Sequence, residues 1–322
     1  MSLTLNDLFA SPDHYLHSFD GDAALFVPMD RAAYHRSIFL DARISPAADG
    51  TMALPVATLT QQPRIAARTA WIFHMAHCGS TLLARALDDP SASLVLREPL
   101  ALRQTALNPD VKRLALVRAM IGKRYRSEAA TLVKANVPVN FLLPHLAAAD
   151  PDAPAILLYL PLRAYLLAIL RSDNHRTWLR NVTTQLAPYL GDLSSLNDAE
   201  RAAALWLAQV DAFTRALTEM PHARALDAEL FFSDPVAVLT LAADHFGVPV
   251  SAATLEATVA GPLFATYSKN PTLAFDNAAR IARSTEVERA IAPELDIAER
   301  WIARHAGRPM PDAALIGASL SR

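Results

Sequence analysis

Residues 73–83 have the pattern of an anion-binding loop. An apolar run leads into Gly79, after which Ser80 and Thr81 begin a second apolar run. Glycine allows the backbone to approach a ligand closely, and the free amide groups at the start of a helix attract negative charge. The pattern therefore predicts that a phosphate-like group binds between a strand and the following helix. The alternative is an ordinary Ser/Thr cap of a helix.

The loop differs from the one that grips nucleoside triphosphates, which has the form G-x-x-x-x-G-K-[ST]. His74 occupies the place of the first glycine and Ser80 that of the lysine, whereas Thr81 keeps the Ser/Thr place. The missing lysine would have bound the β- and γ-phosphates. Its absence argues against a triphosphatase.

Two further charged residues stand at the ends of apolar runs. Glu98 follows the run 94–97, and Lys134 ends the run 131–134. A carboxylate near the loop could take a proton from an acceptor hydroxyl, and an ammonium group could stabilise negative charge in a reacting group. The alternatives are a capping role of Glu98 or its ion pair with Arg97 or Arg103, and a solvated Lys134.

The elements that must position these residues form an α/β pattern, in which short apolar runs alternate with helical segments from Thr69 onward. The predicted strands are 70–75, 94–97, 131–134, 155–160 and 223–232. The predicted helices include 80–88, 111–122, 141–149, 165–172 and 199–218. Continuous hydrophobicity is typical of parallel strands covered on both faces, and ligands bind beyond the carboxyl ends of such strands.

The sequence predicts two unequal parts. Residues 1–68 read as an N-terminal extension or small cap, with strands predicted at 24–28 and 37–41, and residues 69–322 form the main domain. A chain of 322 residues, with 52% hydrophobic and 19% charged side chains, is long enough to bury a large core.

The run HMAHCGSTLLARAL at residues 74–87 resembles the 5′-phosphosulfate-binding loop of P-loop sulfotransferases. His77 stands in the basic place of that loop and Cys78 in the Ser place. The resemblance implies a three-layer α/β sandwich with a central parallel sheet, and 3′-phosphoadenylyl sulfate as the sulfonate donor. It also implies that the donor's 5′-phosphate binds to Cys78, Gly79, Ser80, Thr81 and Leu82.

The same resemblance suggests catalytic roles. Glu98 matches the catalytic Glu of tyrosylprotein and glycosaminoglycan sulfotransferases, and Lys134 matches the Lys that stabilises the transferred group in cytosolic sulfotransferases. Asn136 occupies the place of the histidine base in those enzymes, which implies that Glu98 is the base. The implied catalytic residues are Glu98, Lys134 and His77.

The sequence departs from the family after the fourth strand of the main domain. The family grips the donor's 3′-phosphate with an Arg and a Ser there, and this chain has Leu160 and Ala168 in their places. Arg163 survives as the second Arg of that turn. Arg171, Arg176 and Arg180 follow nearby as candidate substitutes, the alternative being a solvated basic helix face. Lys269 in the polar loop 266–271 is a further candidate anion contact.

A later segment again resembles the family. Residues 223–235 are similar to its strand-then-helix element, with matches at Glu229, Asp234 and Pro235. Ser233 or Asp234 is predicted to cap a helix that has Pro235 in its first turn and Gly247 at its end.

The bulk properties limit partners and location. A formal net charge of −2 offers no broad basic field for nucleic acid. The single cysteine excludes an intrachain disulfide and fits a reducing cytoplasm, and the N-terminus lacks the layout of a signal peptide. The apolar stretch 153–170 contains Pro161 and Arg163, so a strand, turn and helix explain it better than a membrane span. A local basic run is interpreted as a solvated helix face, with an anionic-ligand site as the alternative, and it comprises Lys112, Arg113, Arg118, Lys123, Arg124 and Arg126.

The expected function is transfer of a sulfonate to a hydroxyl or amine of a small molecule, peptide or glycan, without a metal. The alternatives are a P-loop kinase or other phosphotransferase, and a non-catalytic nucleotide-binding protein on the same fold. The acceptor pocket is expected between the N-terminal extension and the helices of residues 100–130 and 174–220. The sequence leaves the acceptor and the oligomeric state open.

Overall fold

A computed structural model describes residues 4–61, 66–127 and 130–321. Their central element is a five-stranded sheet in which all neighbouring strands are parallel, in the order β5-β6-β4-β7-β8. Its strands in chain order are β4 Ala70–His74, β5 Ser93–Arg97, β6 Ala130–Lys134, β7 Ala155–Tyr159 and β8 Ala223–Asp227. The predicted α/β fold with a parallel sheet flanked by helices is confirmed.

The remaining strands form two small antiparallel sheets. They are β1 His14–Asp20, β2 Ala23–Pro28, β3 Met52–Pro55, β9 Thr266–Tyr267 and β10 Asn270–Ala274. The first three make one sheet near the N-terminus, and the last two make a hairpin.

Helices cover and connect the sheets. In chain order they are α1 Leu5–Ala10, α2 Arg31–Arg36, α3 Val56–Leu59, α4 Ser80–Ala86, α5 Leu100–Leu107, α6 Val111–Ile121, a 3₁₀ helix Val137–Leu142, α7 Leu143–Ala149, α8 Leu162–Ile169, α9 Asp173–Gln185, α10 Ala187–Leu190, α11 Asp198–Glu219, α12 Ala228–Ser233, α13 Pro235–Phe246, α14 Ala252–Ala260, α15 Asn277–Ala290, α16 Ala292–His305 and α17 Ala313–Gly317.

The central strand β4 brings the predicted chemical groups together. It pairs with β6 on one side and β7 on the other, and every residue of β4, β5 and β7 is buried. This burial is why these strands have no alternating polar positions. Since the strands are parallel, the residues that follow β4, β5 and β6 lie at one edge of the sheet, as predicted.

The last predicted strand, 223–232, is too long. β8 ends at Asp227, whose side chain accepts a hydrogen bond from the Glu229 amide and caps helix α12. The following helix agrees with the prediction: the Asp234 side chain accepts from the Ala237 amide, and Gly247 ends α13 with φ +64°. A short capped helix thus interrupts what looked like one apolar run.

The apolar stretch 153–170 divides as the sequence predicted. β7 ends at Tyr159, and helix α8 begins at Leu162 after Pro161. Within the described part of the chain, no helix combines the length and the apolar character that a membrane crossing requires.

The segment 37–41, predicted as a strand, has no regular secondary structure. The buried Arg97 guanidinium donates to the Ser37 and Tyr34 carbonyl oxygens, and the Leu40 amide donates to the Arg97 carbonyl oxygen. The segment's backbone is thus fixed by an arginine and by the end of β5 instead of by a neighbouring strand. This arrangement brings Phe39 to the edge of the main sheet.

The basic run on and after α6 is not simply a solvated face, so that interpretation is wrong. The ammonium group of Lys123 is buried and donates to the Leu8 and His14 carbonyl oxygens, and Arg113 donates to the Gly21 carbonyl oxygen at 2.7 Å. Burial lowers the pKa of Lys123 to about 7. These residues join the N-terminal segment to the main sheet, so a basic cluster on one helix serves as a structural contact.

Candidate functional site

The loop of residues 75–79, here called the glycine loop, joins β4 to α4. Gly79 has φ +80°, a conformation that disfavours other residues. A Cβ atom on Gly79 would lie 2.8 Å from Cζ of Phe232 on α12. Backbone angle and close packing therefore both require glycine at the turn into α4.

Thr81, which follows the glycine loop, has a side-chain hydroxyl group that indicates a place for a ligand. Its side chain is 1% exposed, and its Oγ1 atom has no hydrogen-bond partner among the described residues. An unpartnered buried hydroxyl is costly, and native proteins rarely keep one without a reason. Thr81 also lines a cavity, so a ligand there is a suitable partner.

Cys78 is placed for structure. Its Sγ atom donates to the Met75 carbonyl oxygen at 2.9 Å, and burial raises the pKa of the thiol to about 11. The thiol is therefore neutral at pH 7 and fixes the shape of the loop. Cys78, Gly79, Ser80, Thr81 and Leu82, which were predicted to bind a phosphate, all line the same cavity.

This first cavity has a volume of about 550 Å³. Its walls come from the glycine loop, the start of α4, residues 160–171, and the hairpin and helix of residues 266–288. Arg171, Lys269 and Arg283 line it without an ion pair to any described carboxylate. The cavity therefore contains positive charge that the protein itself leaves uncompensated.

The predicted anion contacts differ in their availability. Arg163 lines the first cavity but forms ion pairs with Glu288 and Glu299. Arg171 donates to Nε2 of His175 at 2.9 Å, which leaves its charge unneutralised. Lys269 is exposed as a whole residue, yet burial of its ammonium group and the nearby charge of Lys134 lower its pKa.

The two other candidate substitutes, Arg176 and Arg180, do not belong to the site. Arg176 forms a bidentate ion pair with Glu294, and Arg180 forms one with Asp198. Neither lines the first cavity. Both arginines lie on the polar side of α9 and are satisfied by neighbouring helices, so this hypothesis is wrong for them.

A second cavity, of about 520 Å³, lies on the other side of the glycine loop. Side chains from the N-terminal segment, the strand ends and α9 line it, and they include Phe39, Asp41, Arg43, His74, Glu98, Arg103, Asn136, Trp178 and Gln185. His77 and Lys269 line both cavities. The two cavities therefore meet at these two side chains.

Glu98 and Lys134 form an ion pair at the edge of the second cavity. Lys134 is 0% exposed, whereas the Glu98 side chain is 16% exposed. The predicted partners of Glu98, Arg97 and Arg103, are wrong, and so is the solvated alternative for Lys134. Arg97 pairs instead with Asp88.

The ion pair controls the charge of Glu98. Burial by itself raises the pKa of this carboxyl, but the adjacent Lys134, together with the weaker effects of His74 and Lys269, outweighs burial and lowers the pKa to about 2. Glu98 has φ +57°, which is unusual outside glycine, and its amide donates to the Lys134 carbonyl oxygen at 2.8 Å. The backbone thus holds the carboxylate beside the ammonium group.

His77 lies where the cavities meet, with φ +61°. Its ring centre is 4.2 Å from that of His175 and 5.9 Å from that of Trp178. Burial, reinforced by the charge of Lys269, lowers the pKa of His77 to about 2. The ring of His77 is therefore a neutral imidazole at pH 7 and not a cation.

His74 is a site residue that sequence comparison noted only as a missing glycine. It ends β4, lines the second cavity, and places Nε2 at 4.0 Å from Oε1 of Glu98. The signal available in the sequence was a titratable residue at the end of the central strand. Arg283 was also missed, because nothing in its helical segment marks it as a cavity residue.

The chain matches no protein-family model and no curated protein. Among solved structures it is similar to a sulfotransferase domain from the curacin biosynthetic pathway, with 13% identity and a TM-score of 0.43 over 62% of this chain and 79% of that chain. It is also similar to a sulfotransferase from Alicyclobacillus acidocaldarius, with 15% identity and a TM-score of 0.41 over 76% of this chain and 97% of that chain. At this level of similarity, the function has to be inferred from the chain's own residues.

Proposed function

We propose that the chain is a sulfotransferase that moves a sulfonate from 3′-phosphoadenylyl sulfate to a hydroxyl or amine acceptor. One observation carries the proposal: two cavities meet at the glycine loop, one with uncompensated positive charge and the other with a carboxylate. This arrangement suits an anionic donor on one side and a proton-bearing acceptor on the other. Both volumes fall within the range of about 300–1,000 Å³ typical of small-ligand sites.

In the first cavity, the loop amides and the Thr81 hydroxyl are the proposed partners of the donor's 5′-phosphate. Oxygen atoms of a phosphate ester are strong acceptors and would satisfy the otherwise unpartnered Oγ1. Arg171 and Arg283 are proposed to bind the 3′-phosphate, because they are the arginines of this cavity without a carboxylate partner. They would replace the family contacts whose places hold Leu160 and Ala168.

The transfer is proposed to occur where the cavities meet. The acceptor attacks sulfur from the second cavity, and the bridging oxygen leaves toward the first. Lys269 and the neutral His77 ring lie at this point and can donate hydrogen bonds to developing negative charge. Glu98 lies on the acceptor side as the proposed base, and Lys134 stabilises its charge. The proposed acceptors are a small molecule, a peptide or a glycan.

Calorimetric titration with 3′,5′-adenosine bisphosphate, ADP and ATP with Mg²⁺ tests the donor class. Tight binding of the bisphosphate alone is the expected result. Preferential binding of ATP with Mg²⁺ would support a phosphotransferase instead, although Ser80 stands in the lysine place. Binding of none of them would favour a non-catalytic protein on this fold.

Two arginine variants sharpen this test. Arg171→Gln and Arg283→Gln are each expected to weaken bisphosphate binding by about tenfold, the loss of one charge-assisted hydrogen bond. Binding of adenosine 5′-monophosphate should change little, because it lacks the 3′-phosphate. The matched control is Arg180→Gln, whose guanidinium pairs with Asp198 away from the cavity. An equal loss for all three variants would contradict the proposed 3′-phosphate site.

A further inference from the structure

The imidazole of His74 is held in one tautomer. Its Nδ1 atom lies 2.7 Å from the Met75 carbonyl oxygen, and because a carbonyl group only accepts, Nδ1 carries the hydrogen. Burial and the positive charge of Lys134 lower the pKa of His74 to about 3, so the ring is neutral at pH 7. Its Nε2 atom therefore has a lone pair and no hydrogen.

That lone pair lies beside a second acceptor. Nε2 is buried and has no hydrogen-bond partner within the described ranges, and it lies 4.0 Å from Oε1 of Glu98. An ionised carboxylate also only accepts. The two groups cannot bond to each other as they stand, but one added proton and a side-chain shift of about 1 Å would let Glu98 donate an O–H to Nε2.

We propose that His74 and Glu98 form the proton-accepting pair of the site, with Glu98 as the group that contacts the acceptor and His74 as its positioning residue. The inference rests on the proposed sulfotransferase function. As the acceptor oxygen bonds to sulfur, the bond from sulfur to the donor's phosphate oxygen breaks and its electrons stay with the phosphate. The acceptor's proton passes to Glu98, whose new O–H is held by Nε2 of His74.

Charges on neighbouring elements control this pair. Lys134 at the end of β6 and Lys269 in the β9–β10 hairpin disfavour the added proton, and Glu98 favours a proton on His74. His77 is neutral, and Asn140 donates to the His74 carbonyl oxygen. Any step that draws the Lys134 ammonium group away from Glu98 therefore makes the pair more basic.

Nitrogen NMR of protein labelled with ¹⁵N-histidine tests the pair without an acceptor substrate. The His74 signals are assigned by their loss in His74→Phe. We expect Nδ1 to be protonated and Nε2 unprotonated in the wild-type protein at pH 7. In Glu98→Gln, the new amide N–H can donate to Nε2, so the Nε2 signal should move toward the hydrogen-bonded range.

The variant Lys134→Met tests proton uptake by the pair. Removing an adjacent opposite charge raises a carboxyl pKa by about 1–3 units. The midpoint pH at which protonation changes the Nε2 signal should therefore rise by at least about one unit toward pH 7. A titration that does not move, an Nε2 signal unaffected by Glu98→Gln, or a His74 that carries its proton on Nε2 at pH 7 would each overturn the proposal.

Two controls separate this inference from the proposed function. His245→Phe removes a half-buried ring that contacts the Ala155 carbonyl oxygen at the opposite end of the sheet, and it should leave the His74 signals unchanged. Binding of 3′,5′-adenosine bisphosphate is measured for wild-type protein and for His74→Phe. No binding to either protein contradicts the proposed function, whereas normal binding combined with the negative NMR results contradicts only the proton-accepting pair.

Discussion

The first and second cavities share the glycine loop but differ in how their charges are balanced. In the second cavity, Lys134 lies against Glu98, and Arg43 pairs with Asp41. In the first cavity, Arg171, Lys269 and Arg283 have no carboxylate partner among the described residues. The carboxylates of the second cavity are thus each paired with a cation of the protein. The first cavity has three cations that no described carboxylate neutralises, and one of them, Lys269, also lines the second cavity.

The difference also follows from where the charges come in the chain. Glu98 and Lys134 are attached to neighbouring strands, whose hydrogen bonds fix their positions. The cations of the first cavity come from the turn between α8 and α9, the β9–β10 hairpin and helix α15, which close over the apolar end of β7. A proton acceptor requires a carboxylate whose position is fixed, as strands fix Glu98 in the second cavity. An anion site requires cations without carboxylate partners, as in the first cavity.

Low pH should have the largest effect on stability, through His74 just before the glycine loop and His77 within it. The pKa values of His74, about 3, and His77, about 2, lie below the ordinary value of about 6.5. The unfolded chain therefore binds more protons, so the free energy of unfolding should fall as pH drops below about 6.5 toward 3. Each ring contributes about 1.4 kcal/mol per pH unit. Urea denaturation at a series of pH values measures the slope.

The variant His74→Phe should reduce the dependence of the free energy of unfolding on pH by the amount that one proton contributes, because only His77 remains of the two buried rings. An unaltered slope in His74→Phe would show that the ring is charged in the folded protein.

The balanced charges of the second cavity can be broken at Lys134. Lys134→Met leaves Glu98 as a partly buried charge without its partner, and losing one member of a buried pair costs about 3 kcal/mol or more. Adding Glu98→Gln should recover part of this loss. In the first cavity, Arg163→Met removes a half-exposed ion pair and should cost under about 1 kcal/mol. Chemical denaturation at pH 7 measures the change in the free energy of unfolding for all three variants. Equal costs for Lys134→Met and Arg163→Met would contradict the difference between the two cavities.

The glycine loop can be tested with two glycines that share a backbone conformation. Gly79 and Gly247 have φ +80° and +64°, but a Cβ on Gly79 meets Phe232 at 2.8 Å, whereas one on Gly247 meets nothing within 4 Å. Backbone strain alone should cost about 1 kcal/mol in Gly247→Ala. Gly79→Ala should cost at least about 1 kcal/mol more and should weaken bisphosphate binding. Similar stabilities of the two variants would mean that Phe232 moves freely.

The sequence predicted the charged residues of the second cavity, which follow strands, better than those of the first cavity, which come from separate elements. Glu98 and Lys134 follow uninterrupted apolar strands, so strand ends alone indicated that they share an edge. The ring of His74 could not be placed this way, because its tautomer depends on a carbonyl group of the next residue. Arg283 depended on how residues 266–288 fold over β7, and the segment 37–41 depended on the contacts of Arg97. The pattern of residues within a short segment of sequence does not predict such long-range contacts.

The smallest expected effect concerns a single hydroxyl in the first cavity. Thr81 and Thr105 are both 1% exposed and lie in helices, but Thr105 Oγ1 donates to the Ala101 carbonyl oxygen at 2.8 Å, and Thr81 Oγ1 has no described partner. Thr105→Val should therefore cost about 1 kcal/mol of stability and leave bisphosphate binding unchanged. Thr81→Val should cost no stability, because it removes an unsatisfied group, yet weaken binding by about five- to tenfold. Denaturation and calorimetry on the same two variants give both quantities, and a stable Thr81→Val with undiminished binding would remove this hydroxyl from the anion site.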